Sequence, residues 1–352
     1  MSKSILYSLL FCYVFSLHVD AQDVVFTQFN SVNLFYNPSL TGSFPGNYKI
    51  SAIYRNQWIG LQDQPLTQFI VSGEIKFHLG YESSYKDFIG AGLYFNTDRA
   101  LVFDWNTNEM GLQFAYHKIL DKTKRSFIAG GFGFGLRQRS VNYDRLYFED
   151  QYNGLDAYDR LTRELLPQNI HAAPIIQVGV QFNTNLSKFT FIQLGLSGKH
   201  LFNTEYSFYN NLDNPDYIGI RQNTAFKSIS FIGQMVHRYD AFNEISPRVL
   251  IQFQGPHGII LPGISYRKAF LHNNQSAVHF GLSTRMVRSN QSFSFTDIGL
   301  QTGVEWQNFL LGIQYDVGIR DASRYSSTSH SFEISLRLMG AYDNEFQFAP
   351  KF

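Results

Sequence analysis

The chain has 352 residues, a formal net charge of +1, and only 16% charged side chains beside 16% aromatic ones. That balance gives no basic field to hold a nucleic acid, and the charged fraction is well under the ~25% of ordinary soluble domains. Mean hydropathy is slightly negative, −0.18, and beyond the leader no apolar run approaches the ~20 residues of a membrane helix. Together these features predict an all-β transmembrane antiparallel β-barrel, whose apolar-out, polar-in strands cancel in the average. A secreted β-sandwich shares the alternation, so composition alone does not separate the two.

In chain order, residues 1–21 come first. Lys3, an apolar run from Ile5 to Leu17, and Val19-Asp20-Ala21 before Gln22 have the layout of a secretory signal peptide. The single cysteine, Cys12, lies inside that run, after a Phe11 too large for a lipoprotein signal. The mature chain is therefore expected to lack cysteine, which excludes disulfides, thiolate metal sites and a catalytic cysteine. Residues 22–45 are Asn-rich, with Asn37-Pro38 favouring an extended or turn backbone and Thr41-Gly42-Ser43 a turn. This segment is expected to be an ordered periplasmic strap, folded partly into the barrel mouth, its amides bonding lumen-facing groups. Arg55 is its candidate partner and Trp58 an interface residue; the alternative is a disordered remnant of the leader.

Residues 46–342 read as the barrel. Residues 67–79, TQFIVSGEIKFHL, alternate: Thr67, Phe69, Val71, Gly73, Ile75, Phe77 and Leu79 take one parity, and Gln68, Ser72, Glu74, Lys76 and His78 fill most of the other. A period of two over this length is a strand signal. It recurs over 309–320 and 331–338, where Asp316, Arg320, Glu333 and Arg337 fall on the polar parity. Full charges on that face, Glu74 and Lys76 included, predict an aqueous lumen. Arg137 and Arg139 join that parity only if the register slips past the preceding glycines, and are not assigned to it. Strands are expected near 46–58, 66–79, 87–98, 105–119, 125–140, 169–184, 188–203, 223–238, 245–255, 258–270, 275–288, 294–305, 307–320 and 330–342, about 14 in all, an even number suited to closure with both ends on the periplasmic side. Long connections near 141–168 and 204–222 suit outer loops, and Leu155, Tyr158, Leu161 and Leu165 predict a short helix over 155–166. Residues 343–352 form a tail.

Motifs for chemistry are weak. Gly130-Gly131-Phe132-Gly133-Phe134-Gly135 lacks the Lys-Ser or Lys-Thr of a phosphate loop; glycines relieving crowding on one face, with phenylalanines toward lipid, explain it better. Leu196-Ser197-Gly198 lacks the spacing of a nucleophile elbow. The histidines, His78 and His117 among them, show no metal-ligand spacing. Carboxylates at 144–160 do not follow the EF-hand pattern, which leaves solvated side chains as the default and calcium as a minor alternative. No catalytic residue, cofactor or metal is predicted, and nothing supports an enzyme.

The ordered set Phe26, Gln28, Tyr36, Asn37, Pro38, Gly42, then Tyr54, Arg55, Gln57 and Trp58 resembles the PorP/SprF family of type IX secretion system membrane proteins. The stretches "FIGAGLYFNTDRA" at 88–100, "MGLQFAYHKIL" at 110–120 and "LLGIQYDVGIRDASRYSSTSHSFEISLRL" at 310–338 are similar to it too. The resemblance covers about residues 22–340. It departs in the extension from Met339 to Phe352, where family members often end at an aromatic. It implies a non-catalytic outer-membrane barrel of a Gram-negative bacterium that works with the type IX secretion and gliding machinery. Such barrels help secrete and retain large surface adhesins with a type B C-terminal domain, and periplasmic or outer-membrane secretion subunits are further implied partners. Two other readings stay open: a diffusion or uptake channel for small solutes, and a soluble secreted sandwich.

Overall fold

The computed structural model describes residues 25–60, 64–79, 87–101, 104–121, 125–164, 166–202, 204, 208, 224–270, 276–289, 292–319 and 329–340. The leader at 1–21, Arg320 and the tail at 343–352 lie outside these residues. Fourteen strands close into one antiparallel barrel, each paired with its chain neighbours and the first with the last. They are β1 (Tyr48–Ile59), β2 (Leu66–His78), β3 (Phe88–Ala100), β4 (Trp105–Asp121), β5 (Ser126–Val141), β6 (Ile170–Asn185), β7 (Thr190–Lys199), β8 (Ser228–Arg238), β9 (Asn243–Gln254), β10 (His257–Ala269), β11 (Ser276–Ser289), β12 (Ser292–Trp306), β13 (Phe309–Gly318) and β14 (His330–Met339). All reach the length of about 9–11 residues that a tilted strand needs to cross a bilayer.

The alternation decides which way each strand faces. On β2, Gln68, Ser72, Glu74 and Lys76 are buried inside the barrel while Ile75 and Phe77 are exposed on its outer wall. On β13 and β14, Gln314, Asp316, Glu333, Ser335 and Arg337 are buried, and Tyr315, Val317, Leu336 and Leu338 are exposed. Apolar side chains outside and charges inside invert the order of a soluble protein, as a wall in contact with lipid requires. Among the described residues no helix is long and apolar enough to cross a membrane; the strands do the crossing.

The two mouths differ. One gathers the start of β1, the end of β14 and short turns such as 186–189, 239–242 and 307–308; the other carries the long connections 142–169, 200–227 and 319–329. The helix expected at 155–166 is not formed in its described part, and Leu165 lies outside the described residues. Gly154 turns the chain at φ +86°, and Asn153 Oδ1 accepts from the amides of Leu155, Asp156 and Ala157. A side chain has thus taken the backbone donors a helix would use, and a Tyr152–Tyr158 bridge closes a small hairpin instead. β7 also stops at Lys199 rather than 203, because His200 turns to φ +59°.

Residues 25–47 run through the lumen before β1 begins, as short turns Phe29–Val32, Asn33–Tyr36 and Pro38–Leu40. Pro38 opens the last of these, where a missing N–H costs nothing, and Asn37 Oδ1 caps it by accepting from Ser39 N at 2.9 Å. Phe26, Phe29, Val32, Leu34 and Phe35 pack with the wall residues Ile53, Ile70, Ile232, Leu250 and Leu261 in one buried cluster. This plug presses so closely on the wall that a Cβ on Gly131 would lie 2.2 Å from Ser39 N, and one on Gly90 would lie 2.1 Å from Thr41 O.

Replacing Gly131 by alanine should therefore destabilise the barrel by about 1–3 kcal/mol. The readout is the temperature at which the folded, fast-migrating band is lost on SDS gels. Gly130→Ala, whose Cβ would meet nothing within 4 Å on the outer wall, should leave that temperature unchanged.

Candidate functional site: a plugged lumen and its anchors

The first anchor lies on the closing seam, toward the long-loop mouth. Arg55 on β1 and Glu333 on β14 are cross-strand partners, with Arg55 Nε 3.3 Å from Glu333 Oε1. Each carboxylate oxygen also accepts a backbone amide of the plug, Thr27 N at 2.7 Å and Gln28 N at 3.0 Å. Thr27 Oγ1 donates to Asp316 Oδ2 at 2.8 Å, and the guanidinium groups of Arg55 and Arg285 donate to Val25 O. Ser335 Oγ donates to Gln28 Oε1 at 2.7 Å. Two acids and two bases are thereby taken out of water around four residues of backbone. A buried charge set of this kind is tolerated when donors fill its lone pairs, and the plug fills both oxygens of Glu333 and one of Asp316, although Arg55 Nε and Arg285 Nε make no hydrogen bond.

In the middle of the lumen the wall reaches for the plug's carbonyls. Gln177 Nε2 and Ser197 Oγ donate to Tyr36 O at 2.7 and 2.6 Å, and Gln181 Nε2 donates to Ser39 O at 2.6 Å. The Tyr36 hydroxyl accepts from Phe26 N at 2.8 Å, folding the plug back on itself. Phe35 packs edge-on against Tyr94, ring centroids 5.3 Å apart, and Lys199 Nζ lies 4.4 Å from its ring centre. Behind that ring, Glu109 takes Lys199 at 2.6 Å, Arg137 at 2.6 Å and the Tyr94 hydroxyl at 2.7 Å.

The second anchor holds the plug where it leaves the lumen. Gly42, at φ +80°, donates its amide to Glu74 Oε2 at 3.0 Å, and Lys49 pairs with Glu74 at 2.6 Å. Lys76 Nζ donates to Phe44 O, and His117 Nε2 donates to Thr41 O at 2.8 Å. Lys49 and Lys76 both lie over the Phe44 ring, 5.3 and 5.1 Å from its centre, where the face of the ring favours a cation.

Of the residues singled out in the sequence, Phe26, Gln28, Tyr36, Asn37, Pro38, Gly42 and Arg55 converge inside the lumen, and Glu74, Lys76, Asp316, Glu333 and Arg337 are buried in its wall. Tyr54 and Trp58 point outward from β1, with Gln57 and Trp58 at the irregularity that shifts the β1–β14 register. One expectation needs correcting. Arg137 is a lumen residue without any register slip, because Ala129, Gly131, Gly133, Gly135 and Arg137 all keep one parity while Phe132 and Phe134 face out. The plug's backbone amides at Thr27, Gln28 and Gly42 bond the lumen carboxylates Glu333 and Glu74, and wall side chains of several kinds, Gln177, Gln181, Ser197, Arg55, Arg285, Lys76 and His117, reach the plug's carbonyls. Sequence reading missed Glu109, Lys199, Tyr94 and Arg285, although the inward parity of β3, β4, β7 and β11 places each of them. Among the described residues no group of three His, Cys, Asp or Glu side chains is placed to hold a metal ion.

A closed barrel with an apolar outer wall, a charged interior and its own preceding segment lodged in the lumen is an integral outer-membrane barrel of the plugged kind. The model of the type IX secretion system membrane protein PorP/SprF family matches residues 18–338, and the chain belongs to that family. No curated protein sequence matches it. Among solved structures, the Ralstonia pickettii toluene transporter TbuX is 8% identical with a TM-score of 0.49, covering 88% of this chain and 94% of its own. CymD, a monoaromatic hydrocarbon channel, is 6% identical with a TM-score of 0.48, covering 89% and 93%. Likenesses at this level carry no argument about what passes through or binds to this barrel.

Glu333→Gln removes the carboxylate that the plug amides and Arg55 share. Leaving a buried partner uncompensated costs about 3–5 kcal/mol. The amides of Thr27 and Gln28 should then exchange with solvent at least about tenfold faster, while amides in β8 and β9 keep their protection. Unchanged exchange at Thr27 and Gln28 would show that the seam carboxylate does not hold the plug.

Proposed function

We propose that this chain is a non-catalytic outer-membrane partner of the type IX secretion and gliding machinery, which helps to secrete and then retain a large cell-surface adhesin with a type B C-terminal domain. Export by a cleavable leader at 1–21 would place the long-loop mouth outside the cell and the short-turn mouth toward the periplasm, following the usual build of bacterial barrels. Family membership supports the secretion role. The observation that carries the anchoring role is the buried cluster of plug and wall side chains across the lumen, held at both ends by ion pairs. Such a lumen suits a membrane anchor that presents its loops. A solute channel needs a wet path, because barrels of this strand number can be filled or open.

The test is affinity purification of the tagged, detergent-extracted protein from its native outer membrane, with mass spectrometry of what accompanies it and planar-bilayer recording of the same preparation. A large secreted surface protein in comparable amount, and bilayers that stay silent, are the expected results. A barrel that purifies alone and conducts small ions steadily would overturn the reading in favour of the channel.

A further inference from the structure

The connection between β5 and β6 is built unlike a solvated loop. Its hairpin is braced from within: Asn153 N donates to Ala157 O at 2.8 Å and Arg160 N to Gln151 O at 3.2 Å. Tyr152 Oη donates to Leu155 O at 2.7 Å, and Arg160 Nη2 to Asn153 O at 2.9 Å. Asp150 clamps the far side, accepting from Arg163 N and from Thr162 Oγ1 at 2.9 Å; chiefly the Arg163 amide, then the Thr162 hydroxyl, hold its carboxyl below the usual range. Tyr158 packs between Tyr147 and Tyr152, ring centroids 5.5 and 5.1 Å away. Yet this rigid unit leaves Leu161 93%, Leu155 84% and Tyr147 75% exposed. Single exposed leucines are ordinary, but three large apolar side chains standing out from one self-bonded connection are the build of an interaction site.

Two observations narrow what covers it. The outward-facing positions of β4 and β5 are apolar as far as Met110 and Leu136, and then turn polar with Asn108, Asn106, Gln138 and Ser140, while those of β6 stay apolar to Ile170, the partner of Ser140. With a rise of ~3.3 Å per residue along a tilted strand, β5 runs roughly 10 Å past its last apolar outward residue before the connection begins. Residues 142–166 hold six acidic residues (Asp144, Glu149, Asp150, Asp156, Asp159, Glu164) and three basic ones (Arg145, Arg160, Arg163), a net charge of −3. All six acids are exposed.

We infer that the hairpin at 147–161 is a protein-docking element, inserting Leu155, Leu161 and Tyr147 into an apolar pocket of a secreted partner whose pocket has a basic rim. The inference rests on the surface-partner reading above and names the part of the barrel that grips. The apolar side chains supply the affinity, and the acidic surround speeds encounter and rejects acidic surfaces. Because the hairpin is already folded, docking does not have to order it.

The double variant Leu155→Asp/Leu161→Asp, made in the full chain and expressed in the native outer membrane, tests this directly. The barrel should assemble as in the wild type, shown by an unchanged folded band on SDS gels, while the co-purified surface protein falls by about tenfold or more. Asp156→Lys/Asp159→Lys should lower recovery most at low ionic strength, where the charge surround is least screened. Undiminished recovery with the double variant overturns the docking element but leaves the partner reading intact. Wild-type protein that brings down no surface protein, or only a second copy of itself, overturns both. Quenching by brominated lipid of a fluorophore on Leu155→Cys also overturns the docking element, by placing the hairpin in the leaflet.

Discussion

Glu333 has no solvent exposure, and the rest of the architecture depends on what is set against it. A carboxylate sealed inside a barrel wall is tolerable only with its lone pairs filled by good donors. The amides of Thr27 and Gln28 supply two, and Arg55 on the neighbouring strand sets a guanidinium 3.3 Å away as counter-charge. Arg55 and Glu333 lie on the first and last strands, so this bond set sits where the barrel closes. The plug residues that complete it are separated from Glu333 by 306 and 305 positions in sequence. Closing the wall and seating the plug thus satisfy the same buried charges, and neither is complete without the other.

The wall is shaped to the same end. Gly90, Gly131 and Gly179 all face inward where plug atoms lie closer than any side chain would allow. Two of them meet backbone, Thr41 O and Ser39 N, and the third meets the Asn37 side chain. Backbone cannot swing aside as a flexible side chain can, so these glycines form the mould into which residues 37–41 fit. Gln177, Gln181 and Ser197 then satisfy carbonyls that turns of so few residues leave open. The plug needs no regular secondary structure of its own, because the wall supplies the partners that a helix or sheet would have provided.

This explains which parts of the protein were legible beforehand. Period-two alternation reports one local fact, that successive side chains face opposite environments, and in β2 or β13 that fact is enough to assign lipid and lumen faces residue by residue. The glycine run of β5 obscured the same pattern, since Gly131, Gly133 and Gly135 show no polarity by which to read a parity, and Arg137 was left out for that reason. The fate of residues 25–44 was less accessible still. Their apolar side chains are spaced for a surface assembled from distant strands, so no period appears, and the Asn and turn residues point to an ordered strap without giving its course through the lumen. At 153–157 the capping power of Asn153 before Gly154 outweighs the helical spacing of the leucines, because a side chain that takes three successive amides leaves none for a helix.

Filling the lumen also constrains where this barrel can do its work. Side chains that bond the plug are committed, and Glu109, Glu333 and Glu74 each already hold cations, amides or hydroxyls at hydrogen-bond distance. A partner entering the lumen would have to replace those bonds with equally good ones before gaining any affinity, since stripping a buried charge of its donors is among the costliest changes a protein can undergo. The outer wall, for its part, is occupied by lipid. Surfaces free to gain from new contacts are then the connections beyond the bilayer. Among these the β5–β6 connection combines fixed shape with exposed apolar side chains, which is the combination that turns contact area into affinity.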